Sequence, residues 1–148
     1  MKPCNRFEMQ FPSLSANESF ARAAVSAFAA QIDPTVADLN DFKTAVSEAV
    51  TNCIVHAYRD TIGTVYISAK MFEDGKLTVR IRDKGCGIPD VAQAMEPLFT
   101  TGGSERAGLG FAVMQSFCDT VRVHSTPGGG TSVTLTKRFS RRMSYDKR

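Results

Sequence analysis

The sequence predicts an α+β fold, a two-layer sandwich with helices on one face of a mixed, mostly antiparallel sheet. The first third contains two segments with apolar residues at helical spacing, and later segments alternate apolar and polar residues between turns that contain Gly or Pro. The 148 residues suffice for one buried core and are too few for two ordinary domains. We therefore expect one domain over residues 1–138 and a basic, flexible tail over residues 139–148.

The first elements are a strand and two helices. Alternating apolar residues predict a strand over about residues 4–11. Asn17 is expected to cap a helix over about residues 18–32, and a longer helix is expected over about residues 35–58. The apolar face predicted for the first helix consists of Phe20, Ala24, Ala27 and Phe28. The stripe predicted to be buried on the second consists of Phe42, Val46, Ala49, Val50, Cys53 and Ala57.

The rest of the chain predicts two pairs of strands with helices between them. The strands are expected around residues 65–69, 77–81, 121–123 and 133–135. Residues 90–95 are expected to form a short helix, and a further helix is expected over about residues 108–119. The segment 96–107 is polar, Gly-rich and non-periodic, which is typical of a mobile loop.

Composition excludes several classes of protein. With 43% hydrophobic and 22% charged residues, the chain is typical of soluble globular proteins, and no apolar run approaches the roughly 18 residues that span a bilayer. The start lacks a signal-peptide core, so we expect a cytoplasmic protein. Four scattered cysteines and two histidines argue against a zinc site or a disulfide framework. Much of the excess positive charge behind the net +3 lies near the end of the chain, and no aromatic stacking pattern accompanies it, so we expect no direct nucleic-acid binding.

Glu48 and Asn52 are the first candidate site residues. They lie four residues apart, at the margin of the stripe that the second helix buries, so both can point into a cleft beside the helix. The amide oxygen of Asn52 can coordinate a hard cation, and the carboxylate of Glu48 can accept a proton. The alternative is that both residues are on a solvated helix edge.

Asp83, Gly85 and Gly87 form the second candidate segment. Asp83 is placed at the end of a predicted strand, and the two glycines allow positive φ and a close backbone approach to a flat ring or a phosphate. A carboxylate at this position can accept hydrogen bonds from an exocyclic amine such as that of adenine. The alternative is an Asp-x-Gly turn that closes an ordinary hairpin.

Gly108-Leu109-Gly110 is the third candidate segment, and it is expected to open a helix. The free backbone N–H groups of a helix start attract anions, and glycine lets a phosphate lie against them. The preceding loop adds groups suited to phosphate, namely Thr100, Thr101, Ser104 and Arg106. Neither a Walker loop nor a Rossmann fingerprint is present, and a flexible surface loop is the alternative.

Together with Phe99 and Gly130-Thr131, these segments occur in the order and spacing of the ATP-binding family shared by gyrase, Hsp90, histidine kinases and MutL. This resemblance covers about residues 35–136. Residues 17–22, 46–52, and 97–101 followed by 105–106 resemble more specifically the anti-sigma kinases of spore-forming bacteria. The resemblance implies the Bergerat-type ATP-binding fold with ATP and Mg²⁺ as cofactors.

The resemblance also implies a role for each candidate residue. Asp83 would bind the adenine amino group with help from Thr131 through water, Asn52 would hold Mg²⁺, and Glu48 would act as general base. The remaining residues would shape the adenine pocket or contact phosphates, namely Gly85, Gly87, Thr100, Thr101, Ser104, Arg106, Gly108, Leu109 and Gly110.

The implied function is that of an anti-sigma factor and serine/threonine protein kinase. It would sequester a sporulation RNA polymerase sigma factor of the sigma-F type in an ATP-dependent complex and phosphorylate an anti-anti-sigma protein on serine. Arg22 would contact a partner, although an exposed arginine is also typical of a solvated helix face. The first strand would pair across a homodimer or form an edge of the monomer's own sheet.

Three other functions remain open at this point. The first is a general stress-response anti-sigma kinase. The second is a histidine-kinase-like catalytic domain, which calls for an upstream helical pair with a phosphoacceptor histidine. The third is an ATP-gated binding module without phosphate transfer. His56 is expected at the edge of the pocket, and a role as ligand or phosphoacceptor is the alternative.

Overall fold

Two layers make up the computed structural model, which describes residues 1–96 and 105–140 without the side chains of residues 105–109. The strands of these ranges are β1 (Asn5–Pro12), β2 (Thr64–Met71), β3 (Lys76–Asp83), β4 (Thr120–Thr126) and β5 (Gly130–Arg138). The α-helices are α1 (Ala16–Ala29), α2 (Val36–Thr51), α3 (Val91–Ala94) and α4 (Glu105–Phe117). A 3₁₀ turn (Ala30–Ile32) follows α1, and a π-helical segment (Asn52–Ala57) follows α2.

The sheet has the strand order β1-β2-β3-β5-β4, and each pair of neighbours in the described ranges is antiparallel. The chain leaves β3, passes through α3 and α4, enters the far edge as β4, and returns as β5 beside β3. The expected class is confirmed, although the sheet of the described residues is wholly antiparallel rather than mixed. Because β5 inserts next to β3, its register sets Thr131 directly opposite Asp83.

The core lies between the sheet and the helices. Alternate strand residues face the helices and are buried, namely Val65, Ile67, Ala69, Leu77, Val79, Ile81, Val133 and Leu135. Burying each of the larger of these side chains stabilises the fold by about 1.5–3 kcal/mol. The core extends to Phe139, whose ring meets that of Phe42 edge-on with centroids 5.5 Å apart. Within the described ranges, no helix combines the length and apolar character that crossing a membrane requires.

Helix α1 begins differently from the prediction. The residue that precedes its first turn is Ser15, which is already in the helical region and makes no side-chain capping bond. Asn17 lies inside the first turn, and its side-chain amide donates to the Pro12 carbonyl at 2.9 Å. The expected Asn17 cap is therefore wrong, because this side chain holds the end of β1 instead.

The buried face of α1 also differs from the expected one. Ala21, Val25 and Phe28 are buried, whereas Phe20 is 55% exposed and touches Phe11 only edge-on. The Phe28 ring packs against Phe7 of β1 with centroids 4.9 Å apart. The helix is therefore rotated so that a small residue, Ala21, lies deepest against its neighbours.

The helix predicted over residues 35–58 has nearly the expected extent and changes type within it. Thr35 caps the start of α2, its hydroxyl accepting from the Asp38 N–H at 3.1 Å. The α-helical pattern ends at Thr51, and wider π-type turns continue through Ala57. The Ala57 carbonyl then accepts from the Cys86 N–H at 3.2 Å. The π-helical segment thus joins the end of α2 to the loop that follows β3.

Tyr58 fastens this junction to the sheet. Its ring is buried, and its hydroxyl donates to the Thr64 carbonyl at 2.8 Å and accepts from the Lys84 N–H at 2.6 Å. Burial raises the pKa of the Tyr58 hydroxyl, so it remains a donor at neutral pH. A side chain at Gly63 would collide with the ring, since a Cβ there would lie 2.2 Å from a ring carbon.

We expect Tyr58→Phe to lower the free energy of unfolding by about 1–3 kcal/mol, because it leaves the Thr64 carbonyl and the Lys84 N–H without their partner. Chemical denaturation followed by circular dichroism measures this change. Tyr66→Phe is the matched control, because Tyr66 lies on the helix-free face of the sheet and keeps its ring beneath Arg82. Equal losses in the two variants would mean that the Tyr58 bonds contribute nothing.

Candidate functional site

A cavity of about 670 Å³ opens between the helical layer and the end of the sheet. The size is that of small-molecule sites. Its apolar walls come from Ile88, Phe111 and Val133, and its polar groups include Asn52, Asp83 and Thr131. The site therefore combines flat apolar surfaces with a few convergent polar atoms, which suits a heterocyclic ligand.

Asp83 lines the cavity and is only 5% exposed. Its Oδ1 atom accepts from the Gly85 N–H at 2.9 Å and from the Thr131 N–H at 3.2 Å. These two backbone donors, one from the following loop and one from β5, fix the plane of the carboxylate. Because Oδ1 already has both of these partners, Oδ2 is the oxygen with capacity left for a donor from a ligand.

Cys53 contacts the same carboxylate and was missed as a site residue. Burial, together with the charge of Asp83 and a hydrogen bond to it, raises the pKa of the Cys53 thiol. The thiol therefore stays protonated and donates to Asp83. The sequence predicts Cys53 only as a member of the buried stripe of the second helix. Its position directly after Asn52 is the feature of the sequence that points to the site.

The glycines after Asp83 allow close approaches between backbone segments. A Cβ at Gly85 would lie 2.4 Å from the Ala57 carbonyl oxygen. Gly87 has φ +78°, and a Cβ there would lie 2.3 Å from the Thr126 carbonyl oxygen. Their role in the structure is therefore to let the loop close against the π-helical segment and the end of β4, which shapes the cavity wall.

Glu48, Asn52 and Gly110 meet where α4 crosses α2. A Cβ at Gly110 would lie 3.2 Å from Glu48 Oε1, 3.5 Å from Asn52 Oδ1 and 3.6 Å from Asn52 Nδ2. Asn52 Nδ2 is buried and has no hydrogen-bond partner among the described residues. An unsatisfied buried donor costs about 1–3 kcal/mol, so this amide has the capacity to donate to an acceptor from a ligand.

Asn52 and Glu48 suit a metal ion only when a bound ligand supplies further oxygen atoms to it. No cluster of three or more His, Cys, Asp or Glu side chains occurs in the part of the chain that the structure describes. Asn52 and Glu48 supply one amide and one carboxylate. Mg²⁺ commonly takes one or two protein oxygens and completes its shell with phosphates and water. The pair therefore fits a nucleotide-bound Mg²⁺.

Helix α4 begins at Glu105, three residues earlier than expected. Gly108 and Gly110 consequently lie within its first two turns instead of opening it. Thr100, Thr101 and Ser104 lie outside the described residues, as does Phe99, and for Arg106 and Leu109 the description stops at the helical backbone. The phosphate contacts expected from this segment remain predictions.

Arg22 lies on α1, away from the cavity lining. Its side chain is 40% exposed and forms an ion pair with Glu18, with Nη1 and Oε2 3.5 Å apart. The same Glu18 oxygen accepts from the Ser47 hydroxyl at 2.5 Å. The hydrogen bond between Ser47 and Glu18 thus joins α1 to α2 at the residue before Glu48.

Of the residues predicted from the sequence, four line the one cavity: Asn52, Asp83, Gly87 and Thr131. Glu48 and Gly110 lie next to Asn52, and Gly85 closes the loop behind Asp83. His56 lies at the cavity edge as expected. The structure thus brings the Asp83 carboxylate and the Glu48/Asn52 pair into one region.

Comparison with known proteins gives the class of this chain. The family described as the histidine kinase-like ATPase domain matches residues 11–137. The chain therefore belongs to the histidine kinase-like ATPase family. The two-layer fold and the cavity described above are consistent with that assignment.

Curated relatives narrow the class. The anti-sigma F factor of Caldanaerobacter subterraneus subsp. tengcongensis is 56% identical over 138 residues, which cover 93% of this chain and 96% of the relative. The anti-sigma F factor of Pasteuria penetrans is 50% identical over 137 residues, which cover 91% of each chain. Within its class, the chain thus falls into the anti-sigma F factor family, and the resemblance to anti-sigma kinases is confirmed.

Solved structures share the fold. The structure of the RsbU and RsbW domains of Rv1364c from Mycobacterium tuberculosis superposes with a TM-score of 0.70 at 22% identity, over 98% of this chain and 35% of that one. Full-length ShkA in complex with AMPPNP superposes with a TM-score of 0.58 at 21% identity, over 85% of this chain and 30% of that one. The expected ATP-binding fold is therefore confirmed.

Proposed function

We propose that this chain is an ATP-dependent serine/threonine protein kinase that also acts as an anti-sigma factor. The observation that carries the proposal is the arrangement of the cavity. A fixed carboxylate, Asp83, lines the cavity together with Asn52, whose unpartnered amide lies beside Glu48. The names of the anti-sigma F factor relatives support the second activity.

Adenine would occupy the part of the cavity beside Asp83. The Asp83 carboxylate would accept from the 6-amino group, and the Thr131 hydroxyl would assist through water. Ile88, Phe111 and Val133 offer apolar surface to the ring. A carboxylate in a cavity with apolar walls binds an amine more strongly than it would in water, because the local dielectric is low.

The triphosphate would extend from there toward Asn52 and Glu48. Asn52 would hold Mg²⁺, which would neutralise charge on the phosphate oxygens when it is bound. Glu48 would accept the proton of the attacking serine hydroxyl. Gly110 leaves the space between α4 and this pair free of a side chain. Further phosphate contacts would come from Thr100, Thr101, Ser104, Arg106, Gly108 and Leu109.

The protein partners would be a sporulation sigma factor of the sigma-F type, which the chain sequesters, and an anti-anti-sigma protein, which it phosphorylates on serine. Arg22 and Glu18 form a half-buried charged pair on α1, and the Arg22 side chain is the more exposed of the two and suits a protein contact. Strand β1 is an edge of the sheet and offers backbone groups for pairing in a homodimer.

Capture of a purified sigma-F-type sigma factor tests the binding activity. We expect the immobilised sigma factor to retain this chain in ATP·Mg²⁺ and to release it when nucleotide is omitted. Arg22→Ala should weaken retention at least tenfold, as a lost charged contact at an interface does. Arg122→Ala is the control, because Arg122 is exposed on the far edge strand β4. Retention that is the same with and without nucleotide, and the same for the wild-type chain and Arg22→Ala, would contradict the proposal.

Cysteine alkylation reports directly on occupancy of the cavity. Cys4 and Cys86 are exposed, Cys53 is buried, and burial raises the pKa of Cys118 to about 12. Because the thiolate is the reactive form, iodoacetamide at pH 8 should modify Cys4 and Cys86 first. Only Cys86 lies against the cavity among these two, so ATP·Mg²⁺ should slow its modification and leave that of Cys4 unchanged. Peptide mass spectrometry measures both rates, and an unprotected Cys86 would contradict this placement of ATP.

A further inference from the structure

Ser125 of β4 lies behind the cavity wall and holds it through three hydrogen bonds. Its Oγ atom accepts from the Ile88 N–H at 2.8 Å and donates to the Gly130 carbonyl at 3.1 Å. It also lies 2.8 Å from the Thr131 Oγ1 atom. Ser125 is not among the described residues that line the cavity, whereas Ile88 and Thr131 are.

Either hydroxyl can donate in the third bond, so its direction depends on how the protons of Ser125 and Thr131 are shared. A serine hydroxyl has one proton to donate, and a carbonyl oxygen can only accept. In the arrangement that satisfies all three contacts at once, Ser125 donates its proton to the Gly130 carbonyl, and the bond between the two hydroxyls takes its proton from Thr131. The Thr131 hydroxyl therefore points its hydrogen at Ser125, and its oxygen lone pairs are left for the cavity.

The result is a wall of acceptors around the expected position of the purine six-substituent. The Asp83 carboxylate has an oxygen with spare capacity, and the Thr131 oxygen beside it is now an acceptor as well. Such a wall favours a substituent that donates, such as an amine, and disfavours one that accepts, such as a carbonyl.

We propose that Ser125 is a positioning residue for nucleobase selection, which orients the Thr131 hydroxyl so that 6-amino purines are preferred over 6-oxo purines. This inference rests on the proposed function, because it takes the cavity as a nucleotide site. Without the Ser125 hydroxyl, Thr131 can rotate and offer its proton to the cavity. A 6-oxo purine then gains a donor that the unmodified protein does not provide.

The test compares ATP with inosine triphosphate, which carries a carbonyl where ATP carries the amine. Dissociation constants of both are measured by titration calorimetry for the wild-type chain, Ser125→Ala and Ser125→Thr. We expect Ser125→Ala to lower the preference for ATP by about 2- to 10-fold, the size of one neutral hydrogen bond, and Ser125→Thr to keep it. The ratio of the two constants is the readout, because general damage to the cavity weakens both nucleotides together.

Thr131→Val completes the cycle by removing the hydroxyl that Ser125 is inferred to orient. In this background, Ser125→Ala should no longer change the ratio. Thr131→Val alone should also lower the preference for ATP, and this variant tests the inference even if Ser125→Ala does not fold. An unchanged ratio in Ser125→Ala, or the same change in the Thr131→Val background, would overturn the inference while leaving ATP binding intact. Failure of the wild-type chain to bind ATP at all would instead overturn the proposed function and the inference with it.

Discussion

Glu48→Gln is expected to lower the rate of phosphoryl transfer by about 10² to 10⁴ while leaving ATP affinity within about twofold. The glutamine has the same shape and keeps its place beside Gly110 and Asn52, so the nucleotide site is preserved. What is lost is a carboxylate that can take the proton of the attacking hydroxyl. Single-turnover transfer of labelled phosphate, together with ATP titration, separates the two effects.

The matched control for this change is Glu73→Gln, because Glu73 is exposed in the turn between β2 and β3. It should leave both the transfer rate and the ATP affinity unchanged. Transfer by Glu48→Gln at the wild-type rate would remove Glu48 from the chemistry. A parallel loss of ATP affinity would show that Glu48 acts in binding rather than as the base.

Asp83→Asn is expected to weaken ATP binding by about 100-fold or more, as loss of a charged hydrogen bond together with an unpaired donor does. The expected weakening of ATP binding follows from the contacts of Asp83 Oδ1. Because the N–H groups of Gly85 and Thr131 both donate to this atom, an asparagine would keep its oxygen there. Its NH₂ group would then face the adenine amine, and two donors would oppose each other.

Titration calorimetry measures this loss, and thermal unfolding checks that the variant is folded. Asp90→Asn is the control, because Asp90 also lines the cavity and its capping bond to the Gln93 N–H can be kept by asparagine. It should retain ATP affinity. Wild-type affinity in Asp83→Asn would contradict the assignment of Asp83 to the adenine amine.

The strands and the class of fold were predictable because alternation is a local signal. The neighbourhood of Asp83 was less predictable, because its hydrogen-bond partner Thr131 lies 48 positions further along the chain. The two residues meet because β5 lies between β3 and β4 in the sheet. The order of strands in a sheet is a long-range property. The family resemblance, rather than periodicity, is what connected Asp83 with Thr131 at the sequence level.

Helix α1 shows why an Ala-rich segment misleads. Its pattern offers two stripes, one through Phe20 and one through Ala21, Val25 and Phe28. The face expected from the sequence is the first, and it shares Phe28 with the second. In the structure, the small Ala21 is fully buried and Phe20 is left at the surface.

The direction of the Thr131 hydroxyl was beyond the sequence for a different reason. It depends on how three groups from separate segments, Ile88, Ser125 and Gly130, share one serine hydroxyl. No pattern of residues encodes such a count of protons. The π-helical turns after Asn52 are equally invisible, because helical periodicity alone does not distinguish an α-turn from a wider one.

Serine phosphorylation with ATP as donor is the central claim, and transfer of label from γ-labelled ATP·Mg²⁺ to a purified anti-anti-sigma protein tests it most directly. The wild-type chain and Glu48→Gln are compared, and the labelled protein is washed with acid. The account predicts an acid-stable label on serine that depends on Glu48. An acid-labile label, or no label from a chain that binds ATP, would contradict it.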